Sequence, residues 1–221
     1  MLYHPDVPFR DQSEPEGSSR VRYDLATHLA RAELRQGESL VVDFGTPGAH
    51  KYTLGGWRTR VARDAVTDGG VSASAITNVT GFVLVPSDVA GPRTLRLRAR
   101  AVSDGRLTVY VDGETVGFAT LPTDGTYSTV SVTLPLERLH VGENTLQLRV
   151  PSTGAVPGVG SAGILLDWLR LGASDDPHAS DAPPAPSTLA VREGADDALA
   201  IPDGWSLGYA MQMWPAARLR G

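Results

Sequence analysis

Residues Thr94 to Ala101 alternate without a break, with Leu95, Leu97, Ala99 and Ala101 at one parity and Arg96, Arg98 and Arg100 at the other. Successive side chains of a strand point to opposite faces, so this order demands a half-buried strand with one face on a core and one in water. The same period returns downstream. Leu107, Val109 and Val111 alternate with Thr108 and Tyr110. Asp112-Gly113 then supplies the positive φ angles of a type I′ turn, and Glu114 to Thr120 comes back as the partner strand. In Tyr127 to Leu134, Val130, Val132 and Leu134 oppose Thr129, Ser131 and Thr133. A chain patterned this way must pair its strands and hide one face of each sheet.

Shorter apolar runs bounded by turn residues extend the pattern to Leu40–Phe44, Tyr52–Leu54, Gly81–Val85, Thr145–Val150 and Ile164–Leu171. That makes about nine or ten strands, the number a two-sheet sandwich uses. Leu136–Leu139 reads as a one-turn connector and Pro151–Gly163 as a mobile Gly/Pro loop. Before the strands, Leu25, His28, Leu29 and Ala32 fall at i, i+3, i+4 and i+7 behind Asp24 as a cap, with Gly37 as a stop, which predicts a short amphipathic helix. The expected fold is all-β: a jelly-roll-like two-sheet β-sandwich with a short N-terminal helix. Its 24 Gly and 16 Pro suit many turns between short strands.

Composition divides the 221 residues into four parts. Residues 1–22 are polar and proline-bearing, a flexible lead-in; 23–172 form the sandwich; 173–188 are a Pro-rich linker. Residues 189–221, with strand-like runs around a Pro202-Asp203-Gly204 turn, are either the start of a second β module or a tail that docks on the sandwich, being too short to bury a core alone.

The formal charge of −5 argues against nucleic acid as a partner, and no apolar run approaches the ~18 residues of a membrane span. The first 20 residues hold no signal-peptide pattern, so the chain is expected to be cytosolic or a piece of a longer exported or anchored polypeptide. Cysteine is absent, which removes disulfides, thiolate metal sites and cysteine nucleophiles together. No Gly-x-Ser-x-Gly string occurs, and the five histidines lack the i, i+4 spacing of a helical zinc pair. Asp175, Asp176 and Asp181 could in principle supply oxygen ligands to a structural Ca²⁺, but they sit in the linker and read as solvated charge; no cofactor and no metal site is expected. No catalytic centre is legible.

Binding chemistry has two carriers. Aromatic rings that could stack on a sugar are Tyr52, Trp57, Tyr110, Phe118 and Tyr127, with Trp57 the first choice because it follows a Gly-Gly break and precedes Arg58, Thr59 and Arg60. The second carrier is the stripe Arg96, Arg98 and Arg100. It repeats a guanidinium every ~7 Å, a spacing suited to sulfate, carboxylate or phosphate groups along an extended polymer. A solvated strand face neutralised by nearby Asp and Glu is the plainer reading of the same stripe.

Five short strings carry a family resemblance: Val42-Asp43-Phe44-Gly45-Thr46, Tyr52-Thr53-Leu54-Gly55-Gly56-Trp57, Val109-Tyr110-Val111-Asp112-Gly113, Gly142-Glu143-Asn144-Thr145-Leu146 and Leu165-Leu166-Asp167-Trp168-Leu169. In their order they resemble the non-catalytic N-terminal β-sandwich modules that precede sulfatase domains in some bacteria, and more broadly galactose-binding-like jelly rolls, over residues 23–172. The resemblance implies an accessory role beside a hydrolase, a glycan or the adjacent catalytic domain as partner, and a periplasmic or extracellular setting for the parent protein. An autonomous carbohydrate-binding module is the alternative. No sulfatase motif of the Cys/Ser-x-Pro-x-Arg type is present, so the resemblance transfers no active site.

Overall fold

The computed structural model describes residues 25, 28–57, 66–88, 91–176, 182–184, 190–193 and 196–209. Seventeen strands run in chain order among them. They are β1 Glu33–Gln36, β2 Ser39–Asp43, β3 Thr53–Gly55, β4 Val66–Asp68, β5 Val71–Ile76, β6 Thr80–Ser87, β7 Arg93–Ala101, β8 Arg106–Val111 and β9 Glu114–Thr120. The rest are β10 Ser128–Leu134, β11 Gly142–Arg149, β12 Gly154–Val156, β13 Gly160–Ala162, β14 Ile164–Gly172, β15 Ala190–Glu193, β16 Asp196–Leu199 and β17 Trp205–Gly208.

Two antiparallel sheets face each other. The larger follows the order β10-β7-β14-β2-β1-β17, with β5 and then β4 beside the first half of β14; the smaller follows β3-β6-β11-β8-β9. The period-two strands set the core. Leu95, Leu97, Leu169 and Leu171 of the large sheet meet Val83, Val85, Val109, Leu146 and Leu148 of the small one, all nearly inaccessible to water. At one border the sheets close so tightly that a Cβ on Gly117 of β9 would lie 2.5 Å from Val132 Cγ1 of β10.

β14 changes neighbour half-way, and a bulge permits it. Ile164–Leu166 pair with β5, Trp168–Leu171 pair with β2, and the register against β7 shifts between Leu166 and Trp168. The extra residue is Asp167, whose carbonyl accepts the Phe44 N–H at 2.7 Å. A bulge bends the strand and re-aims a side chain; here it turns the Asp167 carboxylate toward Arg98. The expected Asp112-Gly113 turn is present, with φ of 48° and 88°. Asp112 fixes the hairpin to β11 twice, through its N–H to the Thr145 carbonyl (2.9 Å) and its Oδ1 from the Thr145 N–H (3.0 Å).

Two expectations are corrected, and one strand is added. The predicted amphipathic helix is a single 3-10 turn over Leu29–Arg31, and the chain then enters β1, where Leu34 and Gln36 pair with β2 instead of extending a helical stripe; Asp24 lies outside the described residues. The Pro151–Gly163 loop is a β12–β13 hairpin laid over the outer face of the large sheet, where Val156 and Ala162 cover Ala73, Ala75 and Leu165 in a second apolar cluster. Its Ser161 hydroxyl donates to Thr153 Oγ1 at 2.8 Å. The run Val71–Ile76, unremarkable in sequence, is a full strand whose alanines are small because that hairpin lies on them.

Beyond the linker, β17 adds to the edge of the large sheet by pairing Trp205 with Gln36 and Leu207 with Leu34. Arg170 of β14 is wholly buried beneath this region. Its guanidinium donates to Gln36 Oε1 at 2.5 Å, lies 3.4 Å from Asp176 Oδ2 and sits 5.6 Å from the Trp205 ring. The Ser39 hydroxyl donates to the same Asp176 oxygen at 2.5 Å.

Candidate functional site

The sequence-predicted platform does not reach the surface. Trp57 stacks on Phe44, with centroids 4.9 Å apart and planes at 9°, and its indole N–H donates to the Phe82 carbonyl at 2.8 Å. Only 7% of Trp57 is exposed and 6% of Tyr52. Gly56, at φ 82°, brings the chain so close to β6 that a Cβ there would lie 1.8 Å from the Thr80 carbonyl oxygen. The Gly-Gly break therefore turns Trp57 into the core. Burial drives the Tyr52 hydroxyl pKa well up, and that oxygen is buried with no hydrogen-bond partner among the described residues.

The arginine stripe faces outward as expected, but each guanidinium is engaged. Arg96 donates to the Ser174 carbonyl at 3.1 Å and reaches that of Ala173 at 3.5 Å. Arg98 pairs with Asp167 and lies 5.4 Å from the Tyr127 ring. Arg100 Nε lies 2.7 Å from Asp68 Oδ2. The stripe thus ties β4, the β14 bulge and the chain after β14 onto one sheet face, which is the neutralised arrangement. Burial pushes the Tyr127 hydroxyl up to about 12, with Asp68 adding to it, and pushes Asp167 up against the opposing pull of Arg98.

The other sheet offers the open face. Along β6, β11, β8 and β9 the inward positions are mostly apolar and buried, so Phe82, Gln147, Tyr110 and Phe118 point outward. Register places Gln147 opposite Phe82 on one side and Tyr110 on the other. In the adjacent row Arg149 lies between Thr80 and Thr108, and Thr108 faces Phe118. With strands about 4.8 Å apart, Phe82 and Tyr110 stand two spacings, about 10 Å, from one another with an amide between them. Phe118 is 58% exposed, a large value for an aromatic ring.

Sequence reasoning named Tyr110 and Phe118 but preferred Trp57; Phe82 was not singled out. The signal was in β9. Around Phe118 the inward positions are the small Gly117 and Ala119, while the large ring points outward, the inverse of ordinary burial. The small inward residues follow from the tight border with β10, and the outward ring lies outside the core with Arg106 against it.

Concavities also lie elsewhere among the described residues. One, of about 120 Å³, lies under the 3-10 turn against Val41, Val42, Pro47 and Leu207 and includes Asp43. Burial raises the Asp43 carboxyl to about 6, helped by Asp167 and opposed by the Gly45 N–H that it accepts at 2.9 Å. Lys51, whose ammonium donates to the Ala32 carbonyl, is pulled down to about 8 by burial. Another, of about 330 Å³, opens at one end of the sandwich between Arg35, Glu38, Asp88 and Arg93. Among the described residues no three His, Asp or Glu side chains gather into a metal-holding group, and no helix is long and apolar enough to cross a membrane.

No protein-family model matches the chain, and no curated protein does. Solved structures similar to it include the C-terminal family 6 carbohydrate-binding module of the laminarinase LamC from Zobellia galactanivorans, 17% identical over 61% of this chain and 98% of that one, TM-score 0.40. A family 36 module of a xylanase from the hindgut metagenome of Trinervitermes trinervoides is 19% identical over 62% and 98%, TM-score 0.41. A family 35 carbohydrate-binding module from an environmental isolate is 19% identical over 54% and 88%, TM-score 0.39. At such identities and scores no ligand or site passes from those proteins to this one. The sandwich is established by the chain's own sheets.

Proposed function

We propose that the chain is a non-catalytic carbohydrate-binding module whose glycan lies across the outer face of the five-stranded sheet, over Phe82, Tyr110 and Phe118. The observation that carries the reading is the exposed Phe118 ring beside Tyr110 on a face that also presents Gln147, Thr108 and Thr145. A sugar ring has an apolar face of C–H groups and an equator of hydroxyls. Aromatic rings cover the first, while amide and hydroxyl groups exchange hydrogen bonds with the second. A face that is built on strands and fixed by cross-strand pairing holds these groups in place before the ligand arrives.

The sequence resemblance extends this reading to an accessory role beside a catalytic domain, with the parent protein in the periplasm or outside the cell. No described residue speaks for a sulfatase in particular. The test is affinity electrophoresis of the 221-residue chain through gels containing neutral or acidic polysaccharides. Retardation by at least one glycan is expected, and Phe118→Ala or Tyr110→Ala should weaken it about tenfold, since stacking on one exposed ring is worth ~1 kcal/mol or slightly more. Retardation that survives both substitutions, in variants whose melting temperature is unchanged, overturns the placement. No retardation in any gel overturns the function.

A further inference from the structure

The exposed face is electrically lopsided. Arg106, which opens β8, and Arg149, which ends β11, both point outward at the strand ends away from the Asp112-Gly113 turn, because the buried Leu107 and Leu148 beside them point inward. Arg149 faces Thr108, two residues from Arg106, so one strand spacing and a two-residue offset put the two Cα atoms about 8 Å apart. The Arg106 guanidinium lies 5.0 Å from the Phe118 ring centroid, while Phe118 remains more than half exposed. Neither arginine belongs to any ion pair found among the described residues, in contrast to Arg98 and Arg100 of the opposite sheet. The nearest acid along the chain, Asp104, uses Oδ1 to accept the Arg106 backbone N–H at 2.8 Å.

Acidic groups collect at the far end of the same face. Glu143 lies six residues from Arg149 along β11, about 20 Å. Asp112 and Glu114 lie at the β8–β9 turn near it, where Glu114 pairs with Arg138 and Asp112 Oδ2 is 3.8 Å from His140 Nδ1. The chain as a whole carries −5, so a polyanion gains nothing from the protein's general field and must be held by a local cation pair.

Resting on the carbohydrate-binding reading above, we propose that this face selects glycans bearing an anionic substituent, a uronate carboxylate or a sulfate ester, which Arg106 and Arg149 hold while Phe118 and Tyr110 stack on the sugar rings. A guanidinium offers paired N–H donors in one plane, the arrangement that matches two oxygens of a carboxylate or sulfate. Arg106 is already ordered against Phe118, so less side-chain entropy is lost when the anion arrives. The charge gradient also fixes direction: the anionic unit sits over the Arg106–Arg149 end of the strands, and neutral units run along the strands past Tyr110 toward the Asp112-Gly113 turn.

The test uses the intact chain and matched pairs of polymers that differ in charge alone: pectate against its fully methyl-esterified form, and a sulfated carrageenan against its desulfated form. The pectate pair reads a carboxylate source and the carrageenan pair a sulfate source. At least one charged member should bind more tightly than its neutral partner at low salt, with the advantage falling steeply by 0.5 M NaCl. Arg149→Ser, which leaves the aromatic rings untouched, should reduce that advantage roughly fivefold with binding of the neutral form unchanged, and Arg106→Ser should reduce the advantage similarly. Equal binding within both pairs, or an advantage that both variants retain, overturns the inference while the carbohydrate-binding reading stands. Absence of binding to all four polymers and to the neutral glycans of the preceding test removes both.

Discussion

Asp43 is a carboxyl that the fold holds at a cost. It ends β2 directly across from Trp168, and burial outweighs its hydrogen bond from the Gly45 N–H, so its pKa stands at about 6 in place of 3.8. The folded chain therefore binds this proton more tightly than the unfolded chain does. Stability contributed by the group falls as pH rises from about 4 to about 6, and above 6 the penalty is fully present. Two pKa units correspond to about 3 kcal/mol, which water at the partly exposed edge of the carboxyl reduces to about 2. Asp43→Asn removes the charge and keeps an oxygen for the Gly45 N–H. At pH 8 the variant should be more stable by about 2 kcal/mol, which for a chain of this length raises the melting temperature by about 5 °C. Near pH 3.5 the gap should close to a few tenths of a kcal/mol, since Asp43 is then neutral in the folded chain and mostly neutral in the unfolded one. Urea titrations at pH 8, 6 and 3.5 read the difference directly. A variant no more stable than the parent at pH 8, or a gap that does not close as the pH falls, refutes the argument from burial.

Gly56→Ala should cost about 3 kcal/mol or more, because the added Cβ meets the Thr80 carbonyl at a positive φ, and thermal unfolding of the variant checks it. Replacing Arg96, Arg98 and Arg100 together by Ser should lower the melting temperature by several degrees, with Asp167 and Asp68 left unpaired, and leave polysaccharide retention unchanged; lost retention with an intact melting temperature would return the stripe to the binding surface. Truncation after Gly172 removes both Asp176 and β17 from around the wholly buried Arg170, and differential scanning calorimetry should show a loss of about 3 kcal/mol or more. An unchanged transition would mean that β17 contributes nothing to the sandwich.

What the sequence made legible was whatever one strand decides by itself. In β7 the alternation of leucine and alanine with arginine assigns both faces, because the core side must be continuous whichever strands lie next to it. Neutralisation of those arginines was the plainer expectation, but which acids supply it was beyond reach, since Asp68 and Asp167 arrive from β4 and from a bulge whose position depends on the partners of β14. Trp57 failed for the same reason. Its neighbours in the chain are glycine, arginine and threonine, a surface-like setting, yet its packing partner Phe44 and its acceptor Phe82 come from other segments. Val71–Ile76 escaped notice because serine and alanine give little contrast, and the alanines are explained only by the hairpin above them. Phe118 is the instructive case. The β8–β9 register slips by one residue at Val109–Tyr110, so parity counted from the turn assigns Phe118 to the inward face, as does its size. A strand that places glycine and alanine inward and phenylalanine outward is constrained by close sheet contact on one side and has something other than the core to gain on the other.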